Sequence, residues 1–143
     1  MSAPSPVAFA REIAPIIRAR SVEIEGARRL PADLCNTMAE GGLFRISLPR
    51  SLGGFEVEAA TMLETIEEVG KADGSAAWCV MVASTSALVA AYLNEEAASA
   101  VFGDDPLIIT GGVFAPRGAA TAVEGGYRVT GRWPFASGCQ NCC

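Results

Sequence analysis

Residues 76–93, AAWCVMVASTSALVAAYL, contain no charged side chain. This run restricts the possible folds more than any other stretch. Its length suits a helix that spans a membrane or one at the middle of a helical bundle. Ser84, Thr85 and Ser86 sit at its centre, alanine supplies much of the rest, and no basic flank marks a cytoplasmic side. These features favour a buried central helix, since a helix apolar all round is covered by its neighbours. Asp73-Gly74-Ser75 precedes it as a helix stop and a new cap. Asn94, Glu95 and Glu96 follow it as the start of a short helix that ends near Gly103.

The segments before this run are helical by pattern. Ser5-Pro6 reads as an N-cap with proline at the first helical position. Phe9, Ile13, Ile16, Ile17 and Ile24 then recur near helical period, with Pro15 predicting a kink or a delayed start. The chain restarts at Leu30-Pro31. Leu34, Cys35 and Met38 share a face there, and Gly41-Gly42 supplies the stop. LFRISLPRSLGG (43–54) reads as an irregular loop because of Pro49 and Gly53-Gly54. A further helix carries Met62, Ile66 and Val69 inward, and Glu64, Glu67, Glu68 and Lys71 mostly toward solvent.

At Asp104-Asp105-Pro106 the texture changes. Leu107, Ile108 and Ile109 open a β-rich run. Residues 119–123, Glu124-Gly125-Gly126 and 127–133 read as a hairpin with glycines in the turn. Tyr127, Val129 and Gly131 share one face, and Arg128, Thr130 and Arg132 the other. About five helices followed by three strands predict an α+β chain. Residues 1–106 form an all-α N-terminal helical domain, and 107–143 the first strands of an incomplete, β-barrel-like domain. Three strands cannot close a barrel, so the chain reads as cut off within that domain.

Composition narrows the chemistry. Of 143 residues, 50% are hydrophobic, enough for a real core. The net charge of −5 and scattered basic residues argue against nucleic acid as a partner. The sequence has no histidine. That excludes Ser-His-Asp triads, Cys-His pairs and histidine-containing metal sites, leaving carboxylates, Lys71, tyrosines, thiols or a cofactor to move protons. Cys139-x-x-Cys142-Cys143 lacks a fourth zinc ligand, because Cys35 and Cys79 fall on predicted buried faces; no metal is expected. Five cysteines at irregular spacing make a poor disulfide framework, and MSAPSPVAFAREIAPIIR does not read as a secretory signal. A cytoplasmic protein with no membrane contact is expected. Trp133, Phe135 and Ser137 are spaced by two, so a continuing strand would turn all three to one face. Such a face suits either a flat heterocycle or a barrel core.

ADGSAAW (72–78), LPRSLGG (48–54) and GGYRVTGRWPFASGC (125–139) resemble the acyl-CoA dehydrogenase superfamily, over nearly the whole chain but only over that family's N-terminal helical domain and the opening of its middle β-domain. APRG (115–118) together with the last of these stretches resembles the branch of reduced-flavin-dependent, two-component monooxygenases. VFAPRGAAT (113–121) and Phe135-Ala136-Ser137 depart from the usual dehydrogenase pattern. The resemblance implies a flavin cofactor (FAD, or reduced FMN or FAD) and a small-molecule substrate, aromatic or related, hydroxylated through a flavin C4a-hydroperoxide. It implies a separate flavin reductase as partner and a homo-oligomer, a homotetramer, at full length. An FAD-dependent acyl-CoA dehydrogenase is the alternative, and a catalytically inactive fragment another. By the same resemblance, Phe135 lies beside the isoalloxazine, Ser137 reaches its N5 region, Ala136 offers backbone contacts to the ring edge, and Phe114 stands near the pyrimidine side. Trp133 supports the strand. Gln140-Asn141-Cys142 replaces a segment that often carries a histidine, and the catalytic base is expected beyond residue 143.

Overall fold

In a computed structural model, residues 5–142 are described. Helix α1 (Pro6–Ala19) begins where the cap predicts, with Ser5 Oγ accepting from the Ala8 N–H at 3.2 Å. It runs through Pro15, which lies on the exposed side, so the Arg11 carbonyl left without its donor faces water. The break falls instead at Arg20, and the expected first helix is two, α1 and α2 (Ser21–Ala27). The Arg20 guanidinium holds this bend. It donates to Glu23 at 2.7 and 2.9 Å and to Asp33, on α3 (Ala32–Glu40), at 2.6 and 2.9 Å. Leu34, Cys35, Met38 and Ala39 of α3 point inward. At its end a Cβ on Gly41 would run into the Phe9 ring, so only glycine lets α1 approach this closely.

The loop after α3 is irregular, as expected, yet it lies in the middle of the core. Leu43, Phe44, Ile46 and Leu48 are buried, and a 3-10 turn follows at Arg50–Leu52. Arg45, only 6% exposed, donates to the carbonyls of Leu52, Phe102 (2.9 Å) and Asp105 (3.3 Å). Helix α4 (Ala59–Gly70) packs on α1 and carries Glu64 and Glu68 to Arg11, at 2.8 and 3.3 Å.

Asp73 caps α5 (Gly74–Ala87), its Oδ1 accepting from the Ala76 N–H at 2.8 Å, and the helix tightens into a 3-10 turn at Leu88–Tyr92. Gly74–Tyr92 is long and apolar enough to cross a membrane by length and composition. The expectation of burial on every side is corrected here. Ala76, Ala77, Val80, Ala83, Ser84 and Ala87 form the buried face, whereas Trp78 is 55% exposed and Val89 and Tyr92 are exposed as well. Alanines let α4 and the 43–48 loop pack closely on one side, while the larger side chains stand out on the other. Helix α6 (Glu95–Phe102) is capped by Asn94 and ends at Gly103.

The architecture is α+β, with six helices and one hairpin among the described residues. The strand expected from Leu107 does not form. Ile109 enters the helical core and Ile108 packs on the cluster of Leu48, Ala87 and Phe102, so consecutive side chains serve one core instead of alternating. β1 (Gly118–Val123) pairs antiparallel with β2 (Gly126–Gly131), from Val123 opposite Gly126 to Gly118 opposite Gly131. Gly125 takes φ +79 in the turn. Both strands are exposed on both faces. The second strand stops at Gly131 rather than Trp133, because β1 offers no partner beyond Gly118 and Pro134 has no N–H to pair. The Trp133 ring lies over Gly118 and Gly131, where any Cβ would strike it.

Candidate functional site

The exposed face of α5 forms one wall of a cleft. Trp78, Met81, Val82, Thr85 and Ser86 recur at helical spacing and look toward two irregular segments, 112–117 and 134–137. Together they enclose about 400 Å³. Phe114 and Phe135 line this cleft with rings 87% and 92% exposed. Singly exposed aromatics are ordinary, but two side by side on one concave surface make this cleft the candidate binding site.

Past Gly131 the backbone abandons the extended conformation. Phe135 adopts φ +60, uncommon for a residue with a side chain. The Ser137 N–H donates to the Phe135 carbonyl at 2.8 Å, and Cys139 N–H to the Ala136 carbonyl at 3.2 Å. The expected alternation of a continuing strand is therefore corrected: tight turns, not the pleat, aim these side chains. Phe135 and Ser137 nevertheless reach the same cleft, and Phe114 joins them from the opposite segment. Ala136 lies next door, lining a space of about 390 Å³ with Trp133, Gly111 and Cys142. Ser137 borders both, and also a cavity of about 610 Å³ between Arg28, Arg29, Trp78 and Asn141.

Polar groups in the cleft are few. Thr85 Oγ1 donates within its own helix, being 2.8 Å from the Met81 carbonyl and 3.2 Å from that of Val82. Ser86 Oγ is buried and without a hydrogen-bond partner among the described residues. Arg117 is the one ionisable side chain among the described lining residues. Its guanidinium cannot serve as a base, so these residues position and desolvate a ligand without moving its protons.

Sequence reasoning placed the site on the terminal ribbon and missed its α5 wall. The signal was the Ser84-Thr85-Ser86 triplet within an apolar helix. Ser84 is buried and donates to the Leu43 carbonyl at 3.4 Å, while Thr85 and Ser86 face the cleft.

Cys79 and Cys139 stand in unlike surroundings. Burial pushes the Cys79 thiol up, and a hydrogen bond from Asn141 (3.5 Å) partly opposes this. Cys139 is exposed; Cys143 lies outside the described residues. No group of three or more possible metal ligands occurs among the described residues.

The donor set fits a flat heterocycle. The walls are aromatic and aliphatic, the polar groups are hydroxyls and backbone, and covering Phe114 and Phe135 would contribute about 1.5–3 kcal/mol each. A helical domain that meets a β-ribbon at an aromatic-walled cleft is a framework for holding such a ring. Residues 7–101 match the family described as acyl-CoA dehydrogenase, N-terminal domain, and the chain belongs to it. It is 36% identical over 129 residues to the oxygenase component of the FADH(2)-dependent resorcinol hydroxylase of Rhizobium sp. (strain MTP-10005), covering 90% of this chain and 32% of that protein. The crystal structure of the HsaA monooxygenase from M. tuberculosis superposes with a TM-score of 0.90 at 30% identity, over 99% of this chain and 39% of that one. XiaF from Streptomyces sp., in complex with FADH2 and glycerol, superposes with a TM-score of 0.84 at 32% identity, over 92% and 33%. The chain spans about a third of the length of the curated relatives it matches.

Proposed function

We propose that this chain belongs to the oxygenase component of a two-component flavin-dependent monooxygenase that hydroxylates an aromatic small molecule. Residues 1–106 serve as its N-terminal helical domain and 107–143 open its middle β-domain. The observation that carries the reading is the convergence of Phe114, Phe135 and Ser137 on one cleft, in a fold shared with monooxygenases that use reduced flavin. Phe114 and Phe135 would flank the isoalloxazine, the Ser137 hydroxyl would hydrogen-bond its N5 edge, and Ala136 would support the ring from the adjoining turn. When bound, the reduced flavin supplies the activation of oxygen. The protein's part is to hold the ring flat, keep water away from it and orient the substrate.

Reduced flavin arrives from a separate reductase, and the oxygenase works as a homo-oligomer in the cytoplasm. Names of relatives that specify an oxygenase component or subunit support the first of these. The chain's own residues supply no base at the cleft, so the proton traffic falls to other groups of the assembled enzyme.

The test supplies chemically reduced FMN or FAD to the full-length protein with a panel of phenols under isotopically labelled oxygen. Incorporation of one labelled oxygen into the ring is the expected result. Bleaching of bound FAD by an acyl-CoA, with no phenol hydroxylated, would instead establish a dehydrogenase.

A further inference from the structure

Ser137 owes its place to the turns that carry it, and those turns are held from a distance. Past Phe135 the backbone winds through consecutive hydrogen bonds, from Ser137 N–H to the Phe135 carbonyl, from Cys139 N–H to that of Ala136, and from Asn141 N–H to that of Gly138 at 2.9 Å. Gly138 takes φ +77, and a 3-10 turn covers Cys139–Asn141. Each turn overlaps the next, so residues 135–141 shift together, and the Ser137 hydroxyl goes where Gln140 and Asn141 are attached. Two hydrogen bonds attach them to the helices. Asn141 Nδ2 donates to Cys79 Sγ at 3.5 Å, a long contact to a weak acceptor. Arg29 Nη2 donates to the Gln140 carbonyl at 2.8 Å, which is short and charge-assisted, the stronger kind.

Arg29 reaches out from a fixed base. Arg28 closes α2 in the left-handed conformation at φ 54, its N–H donating to the Glu25 carbonyl at 3.2 Å, and this turns the chain out of the helix. On the other side Leu30 is 1% exposed, and Pro31 fixes its own φ. The left-handed residue is a local cost, and it directs the next side chain toward the cavity of about 610 Å³ that Arg29, Gln140 and Ser137 line together. Arg11, Arg20 and Lys71 meet carboxylates. Arg29 turns to a main-chain carbonyl 111 residues away in sequence.

We propose that Arg29 is a positioning residue for Ser137, anchoring the 135–141 turns to the end of α2 so that the Ser137 hydroxyl meets the flavin ring in a fixed place. This rests on the reading of Ser137 as the hydroxyl that faces the flavin. Arg29 touches neither ring nor substrate in this role and acts through the Gln140 main chain. Hydrogen bonds weaken steeply as distance and angle depart from their optimum, so turns released from their anchor would weaken the Ser137 bond without altering the group that makes it. One guanidinium nitrogen serves here, not the two-pronged geometry of an arginine–carboxylate pair, so a lysine ammonium can stand in for it.

The test is a double-mutant cycle in the full-length protein, read as affinity for reduced FMN and reduced FAD by equilibrium dialysis under nitrogen, with no substrate or oxygen present. Ser137→Ala should weaken binding roughly three- to tenfold, the range of one net hydrogen bond. Arg29→Met should weaken it by a similar factor, Arg29→Lys should recover most of the loss, and Arg29→Met added to Ser137→Ala should weaken it no further. Since Arg29 and Gln140 are exposed, the Tm of Arg29→Met should stay within about 2 °C of wild type. Unchanged affinity in Arg29→Met overturns the proposal while Ser137 keeps its role. An equal loss from Arg29→Met with and without Ser137 also overturns it, since Arg29 would then act on the flavin directly or on the fold at large. If Ser137→Ala binds as tightly as wild type, the reading of Ser137 falls and the role of Arg29 falls with it, and the labelled-oxygen test decides the hydroxylase reading separately.

Discussion

Replacing Arg45 with methionine tests how the functional wall is held. Methionine keeps the length and apolar character of the arginine stem and deletes the guanidinium. Three carbonyls then lose a donor: Leu52 on the 3-10 turn, Phe102 at the end of α6, and Asp105 in the segment that follows α6. The Phe102 carbonyl is buried with its donor and bears a full penalty of about 1–3 kcal/mol. The other two are partly exposed, recruit water and together cost about 1 kcal/mol. Against this stands the relief of removing a charge that burial disfavours. Desolvation holds the Arg45 pKa below its usual value, with Asp105 only partly offsetting it. Arg45 makes no ion pair among the described residues, and its Nε is buried without a partner. Setting that relief at about 1 kcal/mol leaves a net loss of about 1–3 kcal/mol. For a chain of this length the Tm should fall by roughly 3–10 °C. Calorimetry with a matched urea titration checks it, the m-value staying constant if only the native state is affected. Hydrogen exchange should accelerate first at residues 95–105, which the guanidinium pins. A Tm within 2 °C of wild type would refute the assignment of Arg45 as the clamp, since it would mean that the three carbonyls are satisfied without it.

Arg20 hydrogen-bonds Glu23 and Asp33 and holds both carboxyls below their usual range. Depressed carboxyl pKa values give stability that is complete above the unfolded values near pH 4 and lost as pH falls through the folded ones. The Tm gap between wild type and Arg20→Gln should therefore stay constant above about pH 5 and shrink as pH falls below about 4, and a gap that stays constant into acid would refute the coupling. Asp73→Ala removes the α5 cap and should cost about 1 kcal/mol, with Asp73→Asn recovering most of it in thermal melts. Phe135→Gly should raise the Tm slightly, because glycine accepts φ +60 freely and little packing is lost from so exposed a ring. The same variant should bind FMN or FAD more weakly in a fluorescence titration. A lowered Tm would show that the Phe135 backbone is not strained.

What could be read in the sequence was local chemistry. Ser5, Asp73 and Asn94 announced their helices because a side-chain oxygen facing an N–H two or three residues on is a short-range event. Gly125 announced its turn because a positive φ is a preference of the single residue. The misreadings came where distant packing overrode local pattern. Leu107–Ile109 has strand composition, but the helical core takes Ile109 and leaves no neighbour to pair. Trp133, Phe135 and Ser137 have strand spacing, but their ladder ends with β1, and the shared cleft arises from tight turns instead. The split of the first helix was illegible because it depends on Arg20 reaching Asp33 across space, not on a breaker at position 20. The α5 wall stayed hidden because a run without charges looks alike from every side. Only packing shows which face the alanines bury and which face Trp78 and Ser86 leave open.

Three departures from good folding chemistry meet at one cleft: two open phenylalanine rings, a residue other than glycine at positive φ, and a buried hydroxyl without a partner. The unmatched hydroxyl and the positive φ each cost stability, and the open rings leave apolar surface in water. Under the proposed function a flat ring would cover Phe114 and Phe135, and the fixed backbone at Phe135 would aim its ring and set Ser137 two residues on. Elsewhere polar groups are largely matched, with Arg20 between Glu23 and Asp33 and Arg11 between Glu64 and Glu68. The buried Asn141 Oδ1 is a further unmatched atom, and it borders the adjoining cavity that shares Trp78 and Ser137 with the cleft. Defects also lie away from the cleft, since Arg28 and Glu56 take positive φ and Arg45 Nε is buried without a partner among the described residues; what distinguishes the cleft is that open phenylalanine rings, a positive-φ phenylalanine and an unmatched hydroxyl meet on one concave surface, the arrangement expected where a ligand binds.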